Sequence, residues 1–134
     1  MKILISTTLV FTLFLSTSIF AHTSLKASLP KDNAMLMSSP PNLTVTFTEP
    51  VRLVKLALNT QKGESVSFGF LPTTQPNTSF DYELPALSPG TYTAQWMLLG
   101  KDGHKMEGTF SFMVHSANSS QHDKSSHGDQ HNNH

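Results

Sequence analysis

Between residues 43 and 114 the apolar side chains recur at every second position. Leu43, Val45 and Phe47 alternate with Thr44, Thr46 and Thr48, and Val54, Leu56 and Leu58 alternate with Lys55, Ala57 and Asn59. Further on, Tyr92, Ala94, Trp96 and Leu98 oppose Thr93, Gln95 and Met97, while Phe110, Phe112 and Val114 oppose Thr109, Ser111 and Met113. A period of two sends neighbouring side chains to opposite faces of an extended chain, so each run predicts a strand with one face in a core. No segment carries a helical stripe. Turn formers separate the runs at Pro30, Pro40-Pro41, Pro50, Gly63, Pro72, Pro76, Pro85, Pro89-Gly90 and Asp102-Gly103. The spacing predicts an all-β chain of about seven short strands in an antiparallel Greek-key sandwich or barrel, with Tyr92 placed early in its strand to form a tyrosine corner.

The two ends have a different character. Lys2 precedes an apolar run from Ile3 through Leu15, and Ile19-Phe20-Ala21 ends it in a small residue. This is the pattern of a secretory signal over residues 1–21, cleaved after Ala21. A retained membrane anchor is the alternative, and the Ser and Thr residues between Ser6 and Ser18 weaken it. From Ser116 to His134 the one apolar residue is Ala117, among Ser, Asn, Gln, Asp and the histidines His122, His127, His131 and His134. Such a stretch has no means of building a core, so residues 116–134 read as a disordered His-rich tail. The folded domain is expected over residues 22–115, and cleavage makes His22 its first residue.

Composition narrows the chemistry. The 134 residues include nine Lys and Arg, nine Asp and Glu, seven His and no Cys. Balanced charge offers no electrostatic footprint for nucleic acid. The absence of Cys excludes disulfide staples, a thiol nucleophile and thiolate metal ligation. There is no HExxH, no Gly-rich phosphate loop and no local Ser-His-Asp pattern. What stands out is the histidines of the domain, His22, His104 and His115, of which His115 reads as a surface residue at the end of the last strand.

His104 lies in Lys101-Asp102-Gly103-His104-Lys105, between the Trp96 and Phe110 strands. Asp-Gly is a turn signal, and turn chemistry alone accounts for it. Asp102 and His104 nevertheless offer a carboxylate and an imidazole from one corner, and His22 supplies a partner. An N-terminal histidine carries an α-amine and a ring nitrogen that can close a chelate on one ion, and its amine gives up a proton more readily than lysine's. With His104 and a carboxylate this makes a nitrogen-rich set of the tetragonal kind that Cu(II) prefers.

The order of short motifs carries a family likeness. His22-Thr23-Ser24-Leu25, Ser28-Leu29-Pro30, Pro40, Leu43-Thr44-Val45-Thr46-Phe47-Thr48-Glu49-Pro50-Val51, Pro89-Gly90-Thr91-Tyr92, Trp96, Asp102-Gly103-His104 and Gly108-Thr109-Phe110-Ser111-Phe112 follow one another as in the CopC-type periplasmic copper-binding proteins, which the chain resembles over residues 22–115. The resemblance implies an Ig-like β-sandwich, not an enzyme, that binds one Cu(II) ion in the periplasm. It also implies a role in copper homeostasis or resistance, with an inner-membrane CopD-like copper transporter as partner. Carried over by position, the copper ligands fall on His22, Asp102 and His104, with Glu49 as a nearby acidic group that serves as an axial ligand or orients another.

Two departures are informative. Some family members have a methionine-rich loop that binds Cu(I), whereas here no Met lies between Met37 and Met97. Met35, Met37, Met97, Met106 and Met113 therefore read as gap-fillers of the core, and no dedicated Cu(I) site is expected. Met97 also follows Trp96 where relatives often have Arg. An N-terminal His chelate on a β-sandwich is similar to the copper site of lytic polysaccharide monooxygenases too, which would need an open metal position and exposed aromatics. A metal-free Ig-like interaction module is the third reading. The tail histidines are a second metal-capturing element or a solubilising tail.

Overall fold

The computed structural model describes residues 23–116. Within them seven strands form in chain order: β1 (Leu25–Leu29), β2 (Ala34–Leu36), β3 (Asn42–Thr60), β4 (Ser65–Val66), β5 (Asn77–Glu83), β6 (Gly90–Leu99) and β7 (Lys105–Val114). The first half of β3 pairs antiparallel with β1 on one side and β5 on the other. Its second half pairs with β4 and β6, and the sheet continues through β7 to β2. One long strand thus belongs to both layers of a β-sandwich.

The inward residues are those that the alternation singles out. Leu43, Val45 and Phe47 from one layer meet Leu56, Leu58, Ala94, Trp96, Leu98, Phe110, Phe112 and Val114 from the other. Phe47 is the bridge. Its ring stands edge-on to Trp96 at 5.3 Å and to Phe80 at 6.2 Å, contacts that add about 0.5–1.5 kcal/mol each beyond the area they bury. The tyrosine corner forms, with the Tyr92 hydroxyl donating to the Ser88 carbonyl at 2.6 Å. Gly108 faces Trp96 across the β6–β7 ladder, and a Cβ there would lie 2.4 Å from Trp96 Cζ2. The indole occupies the space that any other residue would need.

Four expectations are corrected. Pro50 does not separate two strands: extended backbone runs through it, and only the ladder to β5 is interrupted, between Thr46 and Val51. A register irregularity between Leu53 and Lys55 shifts the alternation, so that Val51 and Leu53 are buried and Val54 is only partly so. β2 runs parallel to β7, making the sandwich mixed at that edge rather than wholly antiparallel. Met35 and Met37 do not fill the core, since they are 69% and 66% exposed. β2 is an edge strand, and only its Ala34 and Leu36 turn toward the interior.

Candidate metal centre

Three segments meet at one end of the sandwich: the β6–β7 hairpin tip, the crossing point of β3 and the chain entering β1. The tip is built by Gly100 to His104. Gly100 N–H donates to the His104 carbonyl at 2.9 Å, and Gly103 N–H donates to the Gly100 carbonyl at 3.0 Å. Gly103 has φ of 81°, the left-handed conformation that glycine adopts without penalty. The result is a tight three-residue loop whose geometry is fixed by backbone pairing.

On this loop Asp102 holds His104 by two atoms. The His104 ring Nδ1 lies 2.6 Å from Asp102 Oδ2, and the His104 backbone N–H donates to Oδ1 at 3.1 Å. The hydrogen bond from the imidazole, followed by that from the backbone, holds the Asp102 carboxyl below the usual carboxylate range. An ionised carboxylate facing Nδ1 makes that nitrogen the donor, which leaves Nε2 with a free lone pair. Both side chains are open to solvent, at 74% for His104 and 63% for Asp102. The pair is an oriented imidazole ready for a ligand, in the carboxylate–histidine arrangement that accompanies metal-binding histidines.

Glu49 and Thr23 approach the loop from the other side. Beyond the β1 ladder, Ser24 N–H donates to Thr48 Oγ1 at 3.1 Å and Thr48 N–H donates to the Ser24 carbonyl at 3.0 Å. This pairing carries Thr23 to Glu49, whose Oε2 accepts from the Thr23 hydroxyl at 3.3 Å. Thr23 is buried, 6% exposed, beneath the loop. A Cβ built on Gly100 would lie 3.0 Å from Asp102 Oδ1 and 3.9 Å from Thr23 Oγ1, so the hydroxyl and the carboxylate flank one point. An adjoining cleft of about 580 Å³ is lined by Pro50, Arg52, Leu99, Gly100, Lys101 and Asp102.

Asp102 and His104 are therefore joined directly, and Glu49 is linked to their loop through Thr23. His22 lies outside the described residues, as do residues 1–21 and the tail histidines. Among the described residues no three His, Asp or Glu side chains converge on one point. His115 stands at the opposite end of β7, its backbone N–H donating to the Leu36 carbonyl. Thr23 and Gly100 were not legible as site residues. The sequence signal for Thr23 was only its place beside His22, and for Gly100 only a glycine ahead of the Asp-Gly turn.

Comparison with known proteins agrees with this architecture. The CopC domain model matches residues 25–115. Protein YobA of Escherichia coli K12 is 29% identical over 102 residues, spanning 72% of this chain and 82% of the relative. Copper resistance protein C of Xanthomonas campestris pv. juglandis is 29% identical over 108 residues, spanning 74% and 84%. Among solved structures, CopC from Methylosinus trichosporium OB3b superposes with a TM-score of 0.59 at 22% identity, covering 71% of this chain and 95% of that one. PcoC, a methionine-rich copper resistance protein from Escherichia coli, gives 0.54 at 24% identity, covering 70% and 99%. The structural likenesses show the β-sandwich fold, and the family match over most of the folded domain decides kinship: the chain belongs to the CopC family.

Proposed function

We propose that this protein is a periplasmic copper carrier that binds one Cu(II) ion per domain and either sequesters it or passes it to an inner-membrane CopD-like transporter. The observation that carries the reading is the His104–Asp102 pair, a preoriented imidazole with a free Nε2 on a hairpin loop whose Gly100 adjoins Thr23, the residue that follows His22. The donor chemistry fits the ion. His22 supplies amine and ring nitrogens, His104 a third nitrogen, and Asp102 keeps unshared lone pairs beside its hydrogen bonds. Three nitrogens and a carboxylate suit Cu(II), which tops the divalent affinity order. Glu49 completes the set as a weak axial ligand or as an acceptor that orients the amino terminus. The aromatics that an oxygenase would present to a polysaccharide, Trp96 and Tyr92, are in the core at 8% and 5% exposure.

The test is a Cu(II) titration of the processed chain beginning at His22, competed against a calibrated chelator and followed by electron paramagnetic resonance. One-to-one binding with a tetragonal, nitrogen-rich spectrum is expected. His104→Ala, or one extra residue ahead of His22, should each lower affinity far more than removing residues 116–134. Undiminished affinity in the extended chain excludes the terminal chelate.

A further inference from the structure

Thr23 is a buried polar residue just ahead of β1, and its hydroxyl is committed to Glu49. Burial of a hydroxyl is costly unless it is hydrogen-bonded, and a valine of the same shape would fill this position and favour a strand equally. Packing therefore does not account for the hydroxyl. Position does, because it ties the backbone one residue beyond His22 to β3 at Glu49 and lies against the hairpin loop. Gly100 is the other half of the arrangement. A methyl group there would meet Asp102 Oδ1 at 3.0 Å, tighter than ordinary van der Waals contact, with Thr23 Oγ1 beyond it at 3.9 Å. Among the described residues the positive-φ glycines are Gly63, Gly69, Gly90 and Gly103, so backbone strain is not what Gly100 relieves. Its missing side chain is what lets the loop carboxylate and the entering chain share one point.

We infer that Thr23 and Gly100 are positioning residues for copper capture, an inference that rests on the copper reading above. The Thr23 hydroxyl pins the chain entering β1 to β3 at Glu49. Gly100 lets the Asp102–His104 loop close down over it. The Asp102–His104 loop and the chain at Thr23 are thereby held against one another before the ion arrives. Preorganisation of this kind raises affinity by removing ordering cost at the moment of binding. Glu49 then acts first as the anchor of Thr23 through Oε2, which makes its contribution to copper binding an orienting one.

The experiment compares Cu(II) affinity and electron paramagnetic resonance of the processed full chain with those of Thr23→Val, Thr23→Ser, Gly100→Ala and His104→Ala. Thr23→Val should lose roughly tenfold in affinity, the equivalent of one hydrogen bond to a charged acceptor, and give a broadened or mixed spectrum. Thr23→Ser should restore both. Gly100→Ala should weaken binding without touching any ligand. Copper-free unfolding of each variant should stay within a few degrees of the parent, and affinities are compared at equal folded fraction. Unchanged affinity and spectrum in Thr23→Val and Gly100→Ala, with His104→Ala still crippled, overturns this inference and leaves the copper reading standing. So does equal weakening by Val and Ser, which would make bulk and not the hydroxyl the cause. Absence of tight binding in the parent itself overturns the copper reading.

Discussion

The two ring nitrogens of His104 are not equivalent, since only Nδ1 has a partner in the Asp102 carboxylate, and this bears on how the site responds to acid. Nδ1 is held by Asp102, whose carboxyl is kept below the ordinary range chiefly by that hydrogen bond. On mild acidification the nitrogen ligands of the proposed copper set would bind in competition with protons. Asp102 stays ionised through this interval and is lost only in stronger acid. Copper affinity should therefore fall on mild acidification with a slope set by nitrogen ligands. Asp102→Asn should lower affinity by about 10- to 100-fold or more, since the carboxylate both belongs to the proposed set and orients His104, and should leave that slope unchanged. A chelator competition series across mild acid measures both, and a flatter slope in Asp102→Asn would assign one of those protons to Asp102. For folding the sign is the same. The contact stabilises the loop above the unfolded-state pKa of Asp102 and is lost as pH falls through the lowered folded-state value. Because the pair is exposed, that contribution is small.

At the scale of the elements, the β6–β7 hairpin joins core and site. Trp96 pairs with Gly108 at its middle, and Gly100 to His104 cap it. Gly108→Ala pushes a methyl into the indole, and overpacking of this kind costs typically about 1–3 kcal/mol. Urea unfolding measures the loss. Trp96→Phe, which destabilises on its own, should offset part of the Gly108→Ala penalty in a double-mutant cycle; full additivity would place the strain elsewhere.

The strands show what periodicity reveals and what it hides. Tyr92, Ala94, Trp96 and Leu98 were readable because an unbroken strand keeps its phase. Val54 misled because one irregularity between Leu53 and Lys55 reverses inside and outside, and no composition signal marks it. Met35 and Met37 misled for another reason, since an unbranched apolar side chain says nothing about whether its strand lies at an edge. The Asp102–His104 corner was visible as turn chemistry with an imidazole at its end. Thr23 and Gly100 were not, because their roles depend on β1 and the hairpin arriving at one place, which no local pattern encodes.

At the scale of the whole molecule, β3 is the feature with the widest reach. Val45 sits between Ser28 of β1 and Phe80 of β5, while Leu58 in the same strand sits between Val66 of β4 and Ala94 of β6. Neither layer can open at its centre while keeping β3 in the other undisturbed. The two layers should therefore exchange amide hydrogens as one unit, with Val45 and Leu58 showing the same opening free energy, equal to that of global unfolding. Distinct values would reveal sheet-by-sheet opening. For a copper carrier of the kind proposed, such all-or-none opening would keep the scaffold shut while an ion is held. Opening of the sandwich would then coincide with complete unfolding, so an ion held on the β6–β7 loop would leave from the rim and not through partial melting of the core.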